Sequence, residues 1–294
     1  MPPCASTAPA SRGSDPGENA RTTLLAGGHS QARPVSLLRS GLLPAALTLG
    51  GLFLFPWLAH TGPGFWGAGV CHRIVERSFS ISGQTLPLCA RCTGIYLAFF
   101  STAVMGGRRR PAAFPPPGIL LFLLLFLVLT GLDGLNSYLA FFPTLPHLYE
   151  PNNVLRLLAG ALEGIALAGF LLPALHLTLW ETPRGESPIP NLRALGQTLL
   201  VVGGLALPAL WPGGPFLYLV ASLSLAGLFL AMGLVNTLPI AVLLRRAGRV
   251  TRWGEAATLF AWGTFLAMLE LAALSWLRYR LTGDFSYSTA ALSP

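Results

Sequence analysis

Charge is scarce in this 294-residue chain. Only 10% of its residues are Asp, Glu, Lys or Arg, where a soluble domain carries about 25%. That excludes an ordinary soluble globule and points to a polytopic membrane protein. Lysine is absent altogether: all 19 basic residues are arginine. With 25 prolines and 33 glycines, this reflects a GC-rich genome rather than a function. The net charge of +8 does not imply nucleic acid, because the arginines fall in short connections between apolar runs, where membrane topology requires them. No H-E-x-x-H, G-x-S-x-G or P-loop sequence occurs, so no motif names a reaction. No repeat of 20–50 residues is visible.

What the chain does have is long apolar runs. Residues 42–59, 88–105, 118–142, 153–180, 192–211, 215–244 and 255–277 approach the roughly 20 residues needed to cross ~30 Å of hydrocarbon. The expected fold class is therefore all-α, a polytopic transmembrane bundle of about seven helices. The fifth run is interrupted by Gly203, Gly204 and Pro208, and Pro239 should end or kink the sixth. Residues 1–40, rich in Pro, Ser, Gly, Ala and Arg, read as a disordered tail. Residues 41–280 read as the transmembrane domain and 281–294 as a short C-terminal tail. The first run is long and no A-x-A cleavage site follows it, so it reads as an uncleaved helix.

Arginine placement orients the bundle. Arg12, Arg21, Arg33 and Arg39 lie in the tail, Arg108, Arg109 and Arg110 after the second run, Arg184 and Arg193 after the fourth, and Arg245, Arg246, Arg249 and Arg252 after the sixth. The connections at 143–152 and 212–214 carry none. The positive-inside rule places the N-terminus in the cytoplasm and the C-terminus outside. The 61–87 connection is then outside, although its own Arg73 and Arg77 reduce the contrast. Trp57, Trp66, Trp211 and Trp276 fit the role of interfacial anchors. His29 and His60 have no evident partner.

One stretch departs from this apolar background: "CHRIVERSFSISGQTLPLCARCTGIYL", residues 71–97. Cys71 and His72 precede a C-x-x-C, Cys89 and Cys92, at the start of the second helix. Those two cysteines share one face, and a helix N-terminus favours thiolate. Cys71, His72, Cys89 and Cys92 match a Cys₃His zinc set, though adjacent Cys71 and His72 need an awkward turn to reach one ion. His60, His147 or water are the substitutes for one ligand. Two other readings stay open. Cys89 and Cys92 would cycle between dithiol and disulfide in an oxidoreductase delivering electrons to a quinone, or they would form a structural disulfide. Three cysteines outside leave an odd one, because Cys4 lies in the tail.

Ionisable residues inside the runs carry the second signal, since such residues are costly in a bilayer and mark function. Asp133 lies about 14 Å, and Glu163 roughly 15–17 Å, from the outer ends of their helices. Asn136 shares a face with Asp133. Asn153, Arg156, Gly160, Glu163 and Gly164 form one stripe, and the G-x-x-x-G within it admits a close neighbour. Glu270 lies about 10 Å from its outer end. The outer half of the bundle thus holds Asp133, Arg156, Glu163 and Glu270 under the cysteines and Arg91. The inner half offers His176 and Asn236. Asp133 and Glu163 are candidate acid–base groups, and Arg156 and Arg91 candidate holders of an anion. The bland alternative is that Arg156 pairs with Asp133 or Glu163 to hold helices together. A metal or small-ion transporter would need more polar groups in the inner half.

The quoted stretch, with "GLDG" and "PNNVLRLLAGALEG", resembles the bacterial and archaeal membrane proteins grouped as domain-of-unknown-function family 2085, over roughly residues 65–170. The family's recurring polar positions correspond to Cys71, His72, Arg77, Ser78, Cys89, Arg91, Cys92, Asp133, Asn153, Arg156 and Gly160. Asn152 stands where a small residue is usual. The resemblance implies a helical membrane protein and brings no activity. The expectation is thus a multi-pass membrane protein, partnered by the lipid bilayer, with a zinc-like site of Cys71, His72, Cys89 and Cys92. Beside it stand Asp133, Glu163, Arg156 and Arg91 as candidate catalytic residues.

Overall fold

The structure is a computed structural model and describes residues 41–285 apart from 82, 108–110, 143, 184, 212 and 213. The expected tail 1–40 with Cys4 and His29, the end of the C-terminal tail, and Arg108, Arg109, Arg110 and Arg184 lie outside the described residues. Within them the protein is an all-α bundle. Its helices are α1 (Leu42–Leu58), the short α2 (Gly64–Ala68), α3 (Ala90–Gly107), α4 (Pro117–Leu139), α5 (Asn153–Leu179), α6 (Leu192–Ala206), α7 (Phe216–Leu243) and α8 (Trp253–Thr282). A two-residue hairpin, β1 (Ser80–Ile81) and β2 (Gln84–Thr85), interrupts the connection before α3. Gly83 closes its turn at φ +80, a conformation that costs glycine nothing.

The seven apolar runs correspond to the seven longer helices. Five are long and apolar enough to cross a membrane by length and composition: α4, α5, α6 with its 3-10 extension, α7 and α8. α1 is shorter, with 17 residues. Boundaries follow local chemistry. Asn152 and Asn191 cap α5 and α6 by accepting the Leu155 and Ala194 N–H groups, each at 2.9 Å, satisfying donors that a helix start leaves free. Pro117 begins α4, where its missing N–H is harmless. Two proline expectations part company. At Pro208 the α-helix tightens into a 3-10 turn, Leu207–Leu210. Pro239 does not end its helix, which runs on to Leu243.

Packing runs across the bundle in the order α4, α5, α3, α7, α8, α1, with α6 lying against α3. The α3–α5 pair is the tightest seam, and its sequence shows why. A Cβ on Gly160 would lie 2.1 Å from the Arg91 carbonyl oxygen, and one on Gly164 2.0 Å from that of Ile95; from the other side, one on Gly94 would lie 2.1 Å from that of Leu157. The G-x-x-x-G thus does what its spacing predicts, and α3 answers with a glycine of its own. One apolar core joins Ile119, Leu123, Ile165 and Leu195; another joins Phe65, Trp66, Leu228, Met268 and Leu271. Trp66 is therefore no interfacial anchor. It is 4% exposed, meets Phe55, Phe65 and Phe229 edge-on, and donates to the Leu52 carbonyl. Trp57 and Trp211 are exposed, as anchors should be.

Candidate functional site

Three cysteines meet at the end of the bundle where α3 and α5 begin and α8 finishes. The Sγ atoms of Cys71, Cys89 and Cys92 all lie within 4.8 Å of one another, and none is in a disulfide. Two close approaches make this possible. Gly67 presses on the 87–88 segment so tightly that a Cβ there would lie 1.7 Å from the Pro87 carbonyl oxygen. The Cys71 N–H is held by the Gly67 carbonyl at 2.9 Å. Cys89 sits just before α3, its carbonyl taking the Thr93 N–H, so Cys89 and Cys92 span the first turn as expected.

Cys71 accepts two backbone N–H groups, from Cys89 at 3.3 Å and from Arg73 at 3.4 Å. The second depends on Arg73 adopting φ +49, a left-handed turn that folds the chain back over the sulfur. The same turn decides the fate of His72. Its side chain is exposed and stands outside the group formed by the three sulfurs. Of the expected Cys₃His set, the structure brings Cys71, Cys89 and Cys92 together and leaves His72 outside that group. His60 and His147 do not replace it; His147 pairs with Glu150 at 2.9 Å on the surface.

The sulfurs share protons unevenly. Hydrogen bonds from the Cys71 and Cys92 thiols pull the Cys89 thiol down to about 3, against the opposing effect of burial. Donating to Cys89 pushes the Cys71 thiol up to about 11. Cys89 is thus the most acidic of the three thiols, and losing further protons builds up repulsion that a cation would relieve.

Two arginines brace this end. Buried Arg73 donates to the Phe285 carbonyl at 3.1 Å and Thr85 Oγ1 at 3.3 Å. Arg278, near the end of α8, holds the carbonyls of Cys71 at 2.5 Å and His72 at 2.6 Å. A cavity of ≈ 330 Å³ opens beside them, lined by Val70, Cys71, His72, Leu277, Arg278 and Leu281. Neither arginine emerged as a site residue from the sequence. The available signal was an arginine placed just beyond the apolar part of the last run.

Next to the sulfurs, Arg91 forms an ion pair with Asp133 and reaches Ser137 Oγ at 3.3 Å. Tyr149 donates to the other Asp133 oxygen at 2.6 Å, and Asn136 binds the Leu148 N–H and the Tyr149 carbonyl. Burial, then the bond to Asp133, raises the Tyr149 phenol to about 12. Asp133 therefore pairs with Arg91, not Arg156. Arg156 is 7% exposed and donates to Asn153 Oδ1 at 3.0 Å. Glu163 is half-buried and feels the Arg91 charge. Tyr96, packed with Cys89 and Cys92, lies within electrostatic reach of both the sulfurs and Glu163. Glu270 belongs elsewhere: α8 runs five residues past the end of the apolar run, and Asn236 of α7 donates to Glu270 at 2.7 Å. This places Glu270 in a local pair with a residue expected at the inner edge.

The cysteine cluster and the Arg91–Asp133 network fall within a region shared with a known family. The family described as "Predicted membrane protein (DUF2085)" matches residues 71–170. Over 110 residues the chain is 38% identical to an uncharacterised protein of Methanothermobacter thermautotrophicus, spanning 91% of that protein and 37% of this one. The chain belongs to DUF2085. A second relative, the uncharacterised protein MJ1492 of Methanocaldococcus jannaschii, is 28% identical over 140 residues, 81% of its length and 42% of this chain. No solved structure matches. The DUF2085 region contains every residue of the cysteine cluster and of the Arg91–Asp133 network, while α6, α7 and α8 lie beyond it.

Proposed function

We propose that Cys71, Cys89 and Cys92 bind a zinc-like metal ion and that this DUF2085 protein is a metal-dependent membrane enzyme working at the extracytoplasmic face. The observation that carries the reading is the convergence of three sulfurs within 4.8 Å. Thiolates around tetrahedral zinc stand ~3.8 Å apart, given Zn–S bonds of about 2.3 Å, so small rotamer changes would close the set. Three protein ligands leave a fourth position open, the pattern of catalytic rather than structural zinc. An ion there would activate water or polarise a carbonyl or phosphoryl group. Asp133, with both oxygens engaged, would fix Arg91. Glu163, which has no hydrogen-bond partner among the described residues, would carry the proton. The extracytoplasmic assignment rests on arginines: Arg245, Arg246, Arg249 and Arg252 belong to a connection seated on the far end of α5 through the Gly248–Thr178 and Val250–Leu179 hydrogen bonds.

The test is metal content by mass spectrometry on detergent-purified protein, with Cys89→Ser/Cys92→Ser alongside. About one metal ion per chain, lost in the variant, is the expected result. Absence of metal from protein prepared without chelators or oxidants would instead favour a thiol–disulfide oxidoreductase using Cys89 and Cys92. The observation on that side is the low-lying Cys89 thiol, a form suited to exchange. That alternative requires a defined reduction potential and coupling to a quinone.

A further inference from the structure

Among the described residues, Arg156 has no ion-pair partner of its own. A buried guanidinium is costly unless paired, yet the nearby carboxylate, Asp133, is taken by Arg91 and Tyr149. Among the described residues Arg156 has one side-chain hydrogen bond, to the Asn153 amide, and its buried Nε has no partner. The Asn153 amide in turn donates to the Glu76 carbonyl at 3.3 Å, which ties the start of α5 to the 75–77 turn. On that turn, Arg77 donates to the Ser137 carbonyl at 3.0 Å and lies 3.6 Å over the centre of the Phe141 ring. Ser137 is also where Arg91 ends. Three guanidiniums therefore gather here. Among the described residues the carboxylates facing them are Asp133, already paired, Glu76 beside Arg77, and Glu163 beside Arg91. Burial, then the charges of Arg156 and Arg91, pull the Arg77 guanidinium down to about 10, and Cys89 acts on both Arg77 and Arg156.

We propose that Arg77 and Arg156, with Asn153 between them, form a receptor for a phosphate group, holding it beside the cysteine cluster. Guanidinium groups match phosphate oxygens in geometry and charge. The capped N-terminus of the 27-residue α5 adds its positive end to the same place. Arg91 is not part of the receptor, because Asp133 already neutralises it. The segment that begins at Phe141 is apolar at its surface: Phe141 is 43%, Leu145 42% and Leu148 81% exposed. That surface suits a phosphate carried on a lipid as well as a free one. The proposal deepens the metal reading and depends on it only for what happens to the bound group.

The experiment is a titration of the detergent-purified full chain at constant ionic strength, read by its thermal unfolding midpoint with chloride as reference. Inorganic phosphate and dihexanoyl phosphatidic acid are the two probes. Saturable stabilisation by both identifies the phosphate group itself as the ligand; saturation by the lipid alone identifies a lipid source. Arg156→Gln and Arg77→Gln should each raise the apparent Kd at least tenfold, Arg156→Lys less so, and Arg249→Gln, exposed at the far end, not at all. In the native chain, phosphate should also slow arginine modification by phenylglyoxal at Arg77 and Arg156 at least tenfold, a readout that needs no variant. No saturation by either probe, undiminished modification rates, or folded variants with native affinity would each overturn the receptor. Failure here with metal still bound sinks the receptor alone. Phosphate binding that survives in Cys89→Ser/Cys92→Ser supports the receptor whatever the metal result.

Discussion

His72 shows how one backbone turn selects ligands. With Arg73 at φ +49, Cys71 faces the other two sulfurs and its neighbour faces water. His72→Ala should therefore keep the full metal content, whereas Cys71→Ser should lose it; elemental mass spectrometry on the two variants decides this, and equal loss in both would restore His72 as a ligand. The Arg91–Asp133 pair gives a second residue-scale expectation. Asp133→Asn leaves Arg91 partly buried without its counterion, and breaking a buried pair from one side costs about 3–5 kcal/mol. Replacing both, as Arg91→Met/Asp133→Leu, should cost less than Asp133→Asn alone, measured by denaturant unfolding in detergent. The sequence made Asp133 and Arg91 legible as unusual residues but not as each other's partner. They are 42 positions apart, and the sequence offered Arg156 as a partner for Asp133. What separated them was Asn153, which holds Arg156 towards the 75–77 turn.

At the scale of elements, the α3–α5 seam positions the site. Arg91 and Cys92 sit on the helix whose backbone touches Gly160 and Gly164, so any widening of the seam separates Arg91 from the start of α5. Gly160→Ala should destabilise by about 1–3 kcal/mol, the usual cost of overpacking, and should loosen metal binding as well. Gly131→Ala, where an added Cβ meets nothing within 4 Å, should be neutral or stabilising by up to ~1 kcal/mol. Parallel unfolding curves for the two variants check both, and a tolerated Gly160→Ala would contradict the seam. The G-x-x-x-G spacing is enough by itself to predict a close helix contact. Its partner helix was not legible, because Gly94 lies in a first turn already dominated by the cysteines. Pro239 does not end α7: it lacks an N–H to donate, but only one turn of helix follows it, and Ala241 in that turn is buried in one core cluster with Leu259 of α8.

For the whole molecule, seven apolar runs became seven longer helices because length and hydropathy are imposed by the bilayer rather than by tertiary detail. The site is less legible for the opposite reason: it is assembled from a loop, two helix starts and the last turns of α8, and Arg278 reaches it from 207 positions away. The topology predicts that a C-terminal alkaline phosphatase fusion is active and a C-terminal fluorescent-protein fusion dark; the reverse pattern would place the cysteines in the cytoplasm and remove the extracytoplasmic assignment. The central claim is a metal ion held by three sulfurs with a fourth position open. X-ray absorption at the zinc edge of purified protein tests it most directly. Three sulfur neighbours at about 2.3 Å and one lighter atom from water or substrate are expected. Four sulfurs, an imidazole signature from His72, or no ordered sulfur shell would contradict it.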